Sequence, residues 1–331
     1  MSNVRVKGIE MYHPARKMDN QYFVDFFEKQ GKHIARLLEA YGRKERYFTA
    51  EDETTVTMAV EAGKKVLESC NLTGEDIDLL IISTQSPEYI WPTNALVVFR
   101  DLKIKKSAQF FDLNDNCLGM LSATATANSI IKANPSVKRA LIIGAENFSA
   151  VHNKECEYLY PLFGDSAVAM ILEETDDESA GILDVEFLSD GENALNYVLF
   201  PDIGFNAYFK NNKENRPLSN IWRGFDAGFI PEQAYKLQKT INGRNGIDFK
   251  DIDCFCYSQY AIGLTRGVSQ MFNEDIDKFI YVGDKYGYTG NNSPFVALCE
   301  GVKSGRIKRG DLVSVWSIGT FWTCCSILMR Y

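Results

Sequence analysis

Histidine is scarce in this chain: its 331 residues include three, His13, His33 and His152, and none follows residue 152. Chemistry that needs an imidazole from the second half of the chain therefore has no residue to supply it. An excess of positive charge is also missing. The formal net charge is −8 at pH 7, so nucleic-acid binding has no compositional support. No apolar run reaches the ~18 residues needed to span a bilayer. The opening residues, Met1 to Val6, carry no signal-peptide apolar segment, which predicts a cytoplasmic protein without a membrane span. No C-x-x-C spacing occurs among the eight cysteines, Cys70, Cys117, Cys156, Cys254, Cys256, Cys299, Cys324 and Cys325. Several lie in apolar runs, and Cys254 and Cys256 share one face of a strand, so they read as buried thiols and no metal site is expected.

What is present is an ordinary globular composition, 45% hydrophobic and 24% charged, long enough for one large or two ordinary domains. One stretch organises it, Ala108 to Ala127. It reads as a short strand, a polar turn holding Cys117, then a helix of small residues with no charge before Lys132. Such a helix suits a crowded interior. At its start the free N–H groups and the helix dipole are expected to favour a thiolate at Cys117.

Along the chain, residues 4–11 read as a strand and Asp19 to Tyr41 as a helix. A second helix opens at Glu51-Asp52-Glu53-Thr54-Thr55 and runs to about Cys70, followed by a buried strand over residues 76–84. Lys138 to Gly144 is another buried strand, residues 146–162 are irregular, and Phe163 to Leu172 is a turn into a strand. Glu173 to Glu178 reads as an acidic, solvated loop. Residues 191–230, rich in Asn, Phe, Tyr and Gly, read as a loop-rich insertion at a binding site or interface.

The later part repeats the earlier one. Asp251-Ile252-Asp253 to Gln259 echoes Asp76-Ile77-Asp78 to Gln85, an offset of 251 − 76 = 175, and Gly319 stands at 319 − 144 = 175 from Gly144. Two anchors at one offset indicate an internal duplication. The predicted fold is α/β: two similar βα halves, residues 1–175 and 176–331, with buried mixed sheets between helical layers. Their seam would bring Cys117 near Ser258, the loop from Tyr286 to Ser293, and the Gly319 loop.

This pattern resembles the thiolase superfamily, and within it the β-ketoacyl-acyl-carrier-protein synthase III group, over nearly the whole chain. The resemblance rests on Gly42-Arg43-Lys44-Glu45-Arg46, on Phe111 to Gly119 around Cys117, and on Phe163-Gly164-Asp165-Ser166-Ala167. Ser189-Asp190-Gly191 and Ser304-Gly305-Arg306-Ile307-Lys308-Arg309-Gly310-Asp311 extend it. It implies an αβαβα layered fold and an acyltransferase in which Cys117 takes an acyl group from a coenzyme A or carrier-protein thioester, with no other cofactor. The oxyanion donors it implies are the amides of Cys117 and of Thr320, next to Gly319. It also implies a dimer formed through the strand before the nucleophile, with an acyl carrier protein as a further partner.

Two departures stand out. Where the family carries a histidine this chain has Ser258, and where it carries an asparagine Tyr288 stands by gapless alignment, with Asn291 or Asn292 able to fill the space if the loop shifts. Positions the family uses for coenzyme A are Ala261 and Gly263. A serine hydroxyl is no base at neutral pH, which argues against ordinary malonyl decarboxylation and a housekeeping initiation role. Two readings stay open. In one, Cys117 is acylated and passes the acyl group to another acceptor in specialised or fatty-acid-derived biosynthesis. Tyr257, Ser258, Tyr260, Tyr286 and Tyr288 then form a hydroxyl-rich pocket, and His152 or Glu155 is a candidate base. In the other, the chain is a non-catalytic or half-catalytic subunit paired with a second synthase III-like chain.

Overall fold

The computed structural model describes residues 3–192, 194–211, 218–224, 226–320 and 322–331. In chain order its strands are β1 (Asn3–Tyr12), β2 (Arg16–Asp19), β3 (Glu45–Phe48), β4 (Leu79–Ser83), β5 (Gln109–Leu113), β6 (Arg139–Glu146) and β7 (Ser166–Thr175). There follow β8 (Gly181–Leu188), β9 (Val198–Leu199), β10 (Ile221–Trp222), β11 (Cys254–Tyr257), β12 (Leu312–Ile318) and β13 (Cys324–Arg330). Strands β4 and β6 are apolar almost throughout because both faces are covered.

Two large sheets form, in the orders β1-β7-β6-β4-β5 and β8-β13-β12-β11, beside the two-stranded pairs β2-β3 and β9-β10. Read from β4 and from β11, each runs parallel to its first neighbour and then antiparallel twice, β4-β6-β7-β1 matching β11-β12-β13-β8. The first sheet adds β5 at its edge, parallel to β4. The 175-residue repeat has a local cause as well. A single 3₁₀ turn precedes each of β4 and β11, Gly74–Asp76 and Phe249–Asp251, and in each an aspartate, Asp76 or Asp251, closes a capping box. Two residues on, Asp78 accepts from the Arg139 N–H and Asp253 from the Leu312 N–H, tying each strand start to its neighbour.

Helices Gly119–Ala133 and Ser293–Lys303 lie between the sheets and touch both. Their small and apolar faces share one core with β1, β7, β12 and β13. Helices Thr55–Ser69 and Asn94–Asp101 cover the outer face of the first sheet, and Ile230–Asn245 and Ile262–Phe272 that of the second. The result is five layers, αβαβα, the thiolase-like architecture. Among the described residues no helix is long and apolar enough to cross a membrane.

Three local expectations change. The helix expected from Asp19 to Tyr41 is two, Asn20–Glu28 and Ala35–Ala40, because the chain turns at Gly31, whose φ is +73°. Glu173 and Glu174 belong to β7 and not to a solvated loop. Glu173 is buried among ion pairs with Arg5, Lys7 and Arg139, and against its burial Arg5 and Lys7 hold its carboxylate below the usual range. The insertion 191–230 contributes β9, β10 and the helix Phe205–Asn211; its residues 193, 212–217 and 225 lie outside the described residues.

Candidate active site

Cys117 follows β5 in a turn built from its own polar residues. The Asn116 N–H donates to Asn114 Oδ1 at 3.1 Å, Asn116 takes a φ of +50°, and Leu118 N–H closes on the Asp115 carbonyl at 3.0 Å. Asparagine tolerates that left-handed conformation, which suits the sharp reversal before the helix. Helix Gly119–Ala133 then starts against the end of β4. A Cβ at Gly119 would sit 2.1 Å from Ser83 Oγ, so only glycine allows that approach. From the second half, Ser317 Oγ donates to the Cys117 carbonyl at 2.9 Å. Gly319 packs on Asn116 and Leu118, where its own Cβ would lie 3.4 and 3.5 Å from their side chains. The loop carrying Gly319 and Thr320 is thus held beside the cysteine, where their backbone is needed for the implied oxyanion role.

The thiol opens on a cavity at the seam of the halves, about 910 Å³ of space including its mouth. The first half supplies Gln85, Cys117, Phe148, His152 and Phe163; the second supplies Ser258, Tyr260, Tyr288, Gly319 and Thr320. The insertion adds Tyr197, Phe200 and Trp222 to the wall. Most of the lining is aromatic or aliphatic, which suits an apolar group attached to a polar reacting end.

Around the sulfur, the Tyr288 hydroxyl lies beside Cys117 Sγ, where it acts to lower the thiol, and the Gln85 amide lies 3.9 Å (Nε2) and 4.0 Å (Oε1) from it. Ser258 Oγ sits beside the Tyr288 hydroxyl, buried, and has no well-formed hydrogen bond among the described residues. Tyr288 is fixed by its backbone, its N–H to the Leu162 carbonyl at 3.0 Å and its carbonyl to the Gly164 N–H at 3.1 Å, and its ring meets Phe163 edge-on. Burial pushes the thiol up to about 11; Tyr288 and Gln85 oppose that rise and the carboxylate of Glu146 adds to it. The expectation of a thiolate favoured by the helix start is therefore corrected: desolvation exceeds the donors, and the resting group is a thiol.

The other expected residues divide. Ser258 and Tyr260, two apart after β11, both face the cavity, and Tyr260 approaches Tyr41 hydroxyl to hydroxyl at 3.3 Å. Tyr257 has the opposite parity. Its hydroxyl meets Gln238 and Ser314 at 3.2 and 3.1 Å inside the second half's core. Tyr286 packs on His13 and Tyr47, also away from the cavity. Asn291 and Asn292 are fully buried behind the lining. Asn292 is bound to Gly144 and Ser166, and Asn291 donates to Glu146 and the Ser83 carbonyl. His152 is in the wall, buried and stacked on Phe148 at 4.8 Å, and burial lowers it to about 3, so it is neutral and a poor base. Glu155 is exposed and outside the cavity.

Two residues near the thiol were not singled out from the sequence. Gln85 follows β4, and Glu146 ends β6 fully buried, raised to about 7 by burial. Its carboxylate accepts from the Gln85 N–H and Nε2, Ser86 Oγ, Thr84 Oγ1 and Asn291 Nδ2. The signal was available: a lone glutamate closing an apolar strand is costly unless it is built into a site.

A cysteine at a strand-to-helix turn, facing an apolar seam cavity in a duplicated five-layer body, defines a thiolase-like acyl-handling protein. Comparison narrows the class. The family model described as 3-oxoacyl-[acyl-carrier-protein] synthase III matches residues 111–191, and its C-terminal counterpart matches residues 243–331. A β-ketoacyl-[acyl-carrier-protein] synthase III of Clostridium perfringens is 32% identical over 334 residues, covering 100% of both chains. One from Xanthomonas campestris is 27% identical, covering 99% of this chain and 98% of the relative. The crystal structure of the Aquifex aeolicus synthase III superposes with a TM-score of 0.87 at 26% identity, covering 99% of this chain and 100% of that one. The chain belongs to the synthase III family of condensing acyltransferases.

Proposed function

We propose that Cys117 accepts an acyl group from a coenzyme A or acyl-carrier-protein thioester and passes it to an acceptor without ordinary malonyl decarboxylation. The observation that carries this reading is the set of groups facing the thiol. Tyr288, Ser258 and Gln85 are hydroxyls and an amide, and the one imidazole in the wall, His152, is neutral and stacked. In the first step Cys117 Sγ bonds to the acyl carbon, the carbon–sulfur bond to the donor breaks, and the thiol proton leaves with the donor thiol. The amides of Cys117 and Thr320 would hold the oxyanion between these events. The Ser258 hydroxyl, beside that of Tyr288 in the cavity wall, is then a contact for the bound donor or acceptor. The acceptor is an amine, hydroxyl or preformed carbon nucleophile, placing the reaction in specialised or fatty-acid-derived biosynthesis.

Intact-protein mass spectrometry with a panel of acyl-coenzyme A and acyl-carrier-protein thioesters tests it. The expected result is one acyl adduct, absent in Cys117→Ala, with the preferred donor arm separating the two carriers. No adduct with any donor, alone or with a co-expressed synthase III-like partner, sinks the reading.

The thiol raised to about 11 favours a second reading, a half-catalytic subunit that shapes a partner's site. Cys117→Ala with full activity of the paired complex would select it. Either role fits a dimer through β5, an edge strand whose outer side is unpaired among the described residues. The adjoining loop exposes Tyr89, Ile90 and Trp91, an apolar patch suited to burial in such an interface.

A further inference from the structure

The Gln85 amide touches the thiol with both of its polar atoms. Its Nε2 carries two hydrogens. One reaches Glu146 Oε1 at 3.1 Å, and the nitrogen lies 3.9 Å from Cys117 Sγ; Oε1 is 4.0 Å from the same sulfur. When ionised, the Glu146 carboxylate decides which way the amide points, because an amide oxygen turned toward it would find only acceptors. Fixed in this way, the amide serves both states of the sulfur without rotating. Oε1 accepts from the S–H of the thiol, and Nε2 donates to the thiolate as it forms. Among the described residues Glu146 in turn has no cation among its hydrogen-bond partners, which are the Gln85 and Ser86 donors, Thr84 Oγ1 and Asn291 Nδ2; its charge acts on Cys117. A buried carboxylate with five donors and no counter-ion is expensive for a purely structural role.

We propose that Gln85 is a catalytic contact of the Cys117 sulfur and that Glu146 is a positioning residue acting through it, locking the amide so that the thiol is ready in either protonation state. The proposal rests on the reading of Cys117 as the nucleophile. Its test reads the sulfur directly, so it stands or falls separately from acyl transfer.

The test is a double-mutant cycle on the rate of Cys117 modification by a small thiosulfonate, followed by peptide mass so that the other seven thiols do not contribute. Circular dichroism checks the fold of each variant. Gln85→Ala and the near-isosteric Gln85→Met are expected to slow modification about threefold to tenfold, from the lost donor to the thiolate offset in part by the higher nucleophilicity of a more basic sulfur. Glu146→Gln separates position from charge. Removing a negative charge near the sulfur by itself speeds the reaction, because that carboxylate raises the thiol. Slowing by Glu146→Gln in the native background, with no slowing or a gain in the Gln85→Ala background, is the expected signature of action through Gln85. A Gln85→Ala protein modified at the native rate overturns the contact. Glu146→Gln that speeds the reaction in both backgrounds, or slows it equally in both, overturns the positioning role. Should Glu146→Gln fail to fold, the two Gln85 variants still decide the contact, and Glu146→Asp, which retracts the carboxylate by one methylene, takes its place in the cycle.

Discussion

Replacing Tyr288 by phenylalanine removes one oxygen atom from the site and leaves the ring against Phe163. Its hydroxyl is the donor that most strongly opposes the burial-driven rise of the Cys117 thiol. A hydrogen bond to a charged acceptor contributes about 1.5–3 kcal/mol. At ~1.36 kcal/mol per pKa unit, losing it raises the thiol by about one to two units. Below the thiol's own pKa the thiolate fraction then falls roughly 10- to 100-fold. Nucleophilicity recovers about half of that on a logarithmic scale, so the net loss in modification rate is about 3- to 10-fold. The measurement is the rate of Cys117 modification by a small thiosulfonate between pH 6 and 9. Tyr288→Phe should lie below the native protein by a constant factor across that range, since both thiols titrate above it. Folding should be little affected, because the variant keeps the ring and the backbone bonds to Leu162 and Gly164. A Tyr288→Phe protein that reacts at the native rate or faster refutes the assignment of the hydroxyl as a donor to the sulfur.

Gly119→Ala puts a methyl 2.1 Å from Ser83 Oγ and should destabilise by about 1–3 kcal/mol, seen as a lower melting temperature. Ser83→Ala alone should be nearly neutral, its hydroxyl having no partner among the described residues, and should restore most of the stability lost by Gly119→Ala; additive losses would refute the contact. His152 is neutral in the fold down to about 3 but binds a proton in the unfolded chain below ~6.5, so stability falls as pH drops through that window and levels off below it. His152→Phe should flatten the acid limb of a denaturation series between pH ~6.5 and ~3 by up to a few kcal/mol; an unchanged limb would show that the ring is hydrated. Gln109 turns its N–H toward Asp78, so the N–H of Phe110 points off the edge, and Phe110→Pro should convert a dimer to monomer in light scattering while β4–β5 pairing persists.

The fold was legible because it is written twice. Asp76 and Asp78 recur as Asp251 and Asp253 with the same jobs, a capping box and a hold on the neighbouring strand, so the offset reports a repeated structure and not a chance likeness. The small-residue helix after Cys117 was legible for a related reason, since a layer between two sheets has no wet face. At the site, parity carried as far as it was applied. Ser258 and Tyr260 share a face, and the same rule turns Tyr257 away, which an unalternated reading of three hydroxyls misses. The state of the thiol was not legible. A dipole at a helix start is a local feature, whereas the burial that outweighs it comes from a cluster including Phe148, Phe163 and Tyr288, which are distant in sequence. Glu173 was misplaced in the same way: a run of five acidic residues looks solvated until Arg5, Lys7 and Arg139 arrive from two other strands. The wall formed by Tyr197, Phe200 and Trp222 comes from a segment with no periodicity to read.

The proposed chemistry turns on where protons go. Exchange of an acyl group between two thiols conserves them: one S–H bond is lost at Cys117 and one forms on the departing donor. A site can run that exchange with hydrogen-bonding groups that shift a proton over a few ångströms, and Tyr288, Ser258 and Gln85 are such groups. Enolate formation from a malonyl thioester has a different demand, strong donors aimed at a developing oxyanion, and under the proposed reading Ser258 and Tyr288 stand where such donors would be needed. On that reading the departures bear on the second half-reaction and spare the first. An amine or hydroxyl acceptor must also shed a proton, and among the described residues no lining side chain is a base of suitable strength at neutral pH, since His152 is lowered to about 3 by its burial. The acceptor most compatible with this site is thus one that arrives already nucleophilic, or one whose proton is taken by a group the acceptor's own carrier or a partner chain brings to the cavity mouth. That requirement is measurable. With pre-acylated Cys117, release of the acyl group should rise steeply with the basicity of small amine or thiol acceptors, and an acceptor series showing no dependence on basicity would place a proton acceptor in the cavity after all.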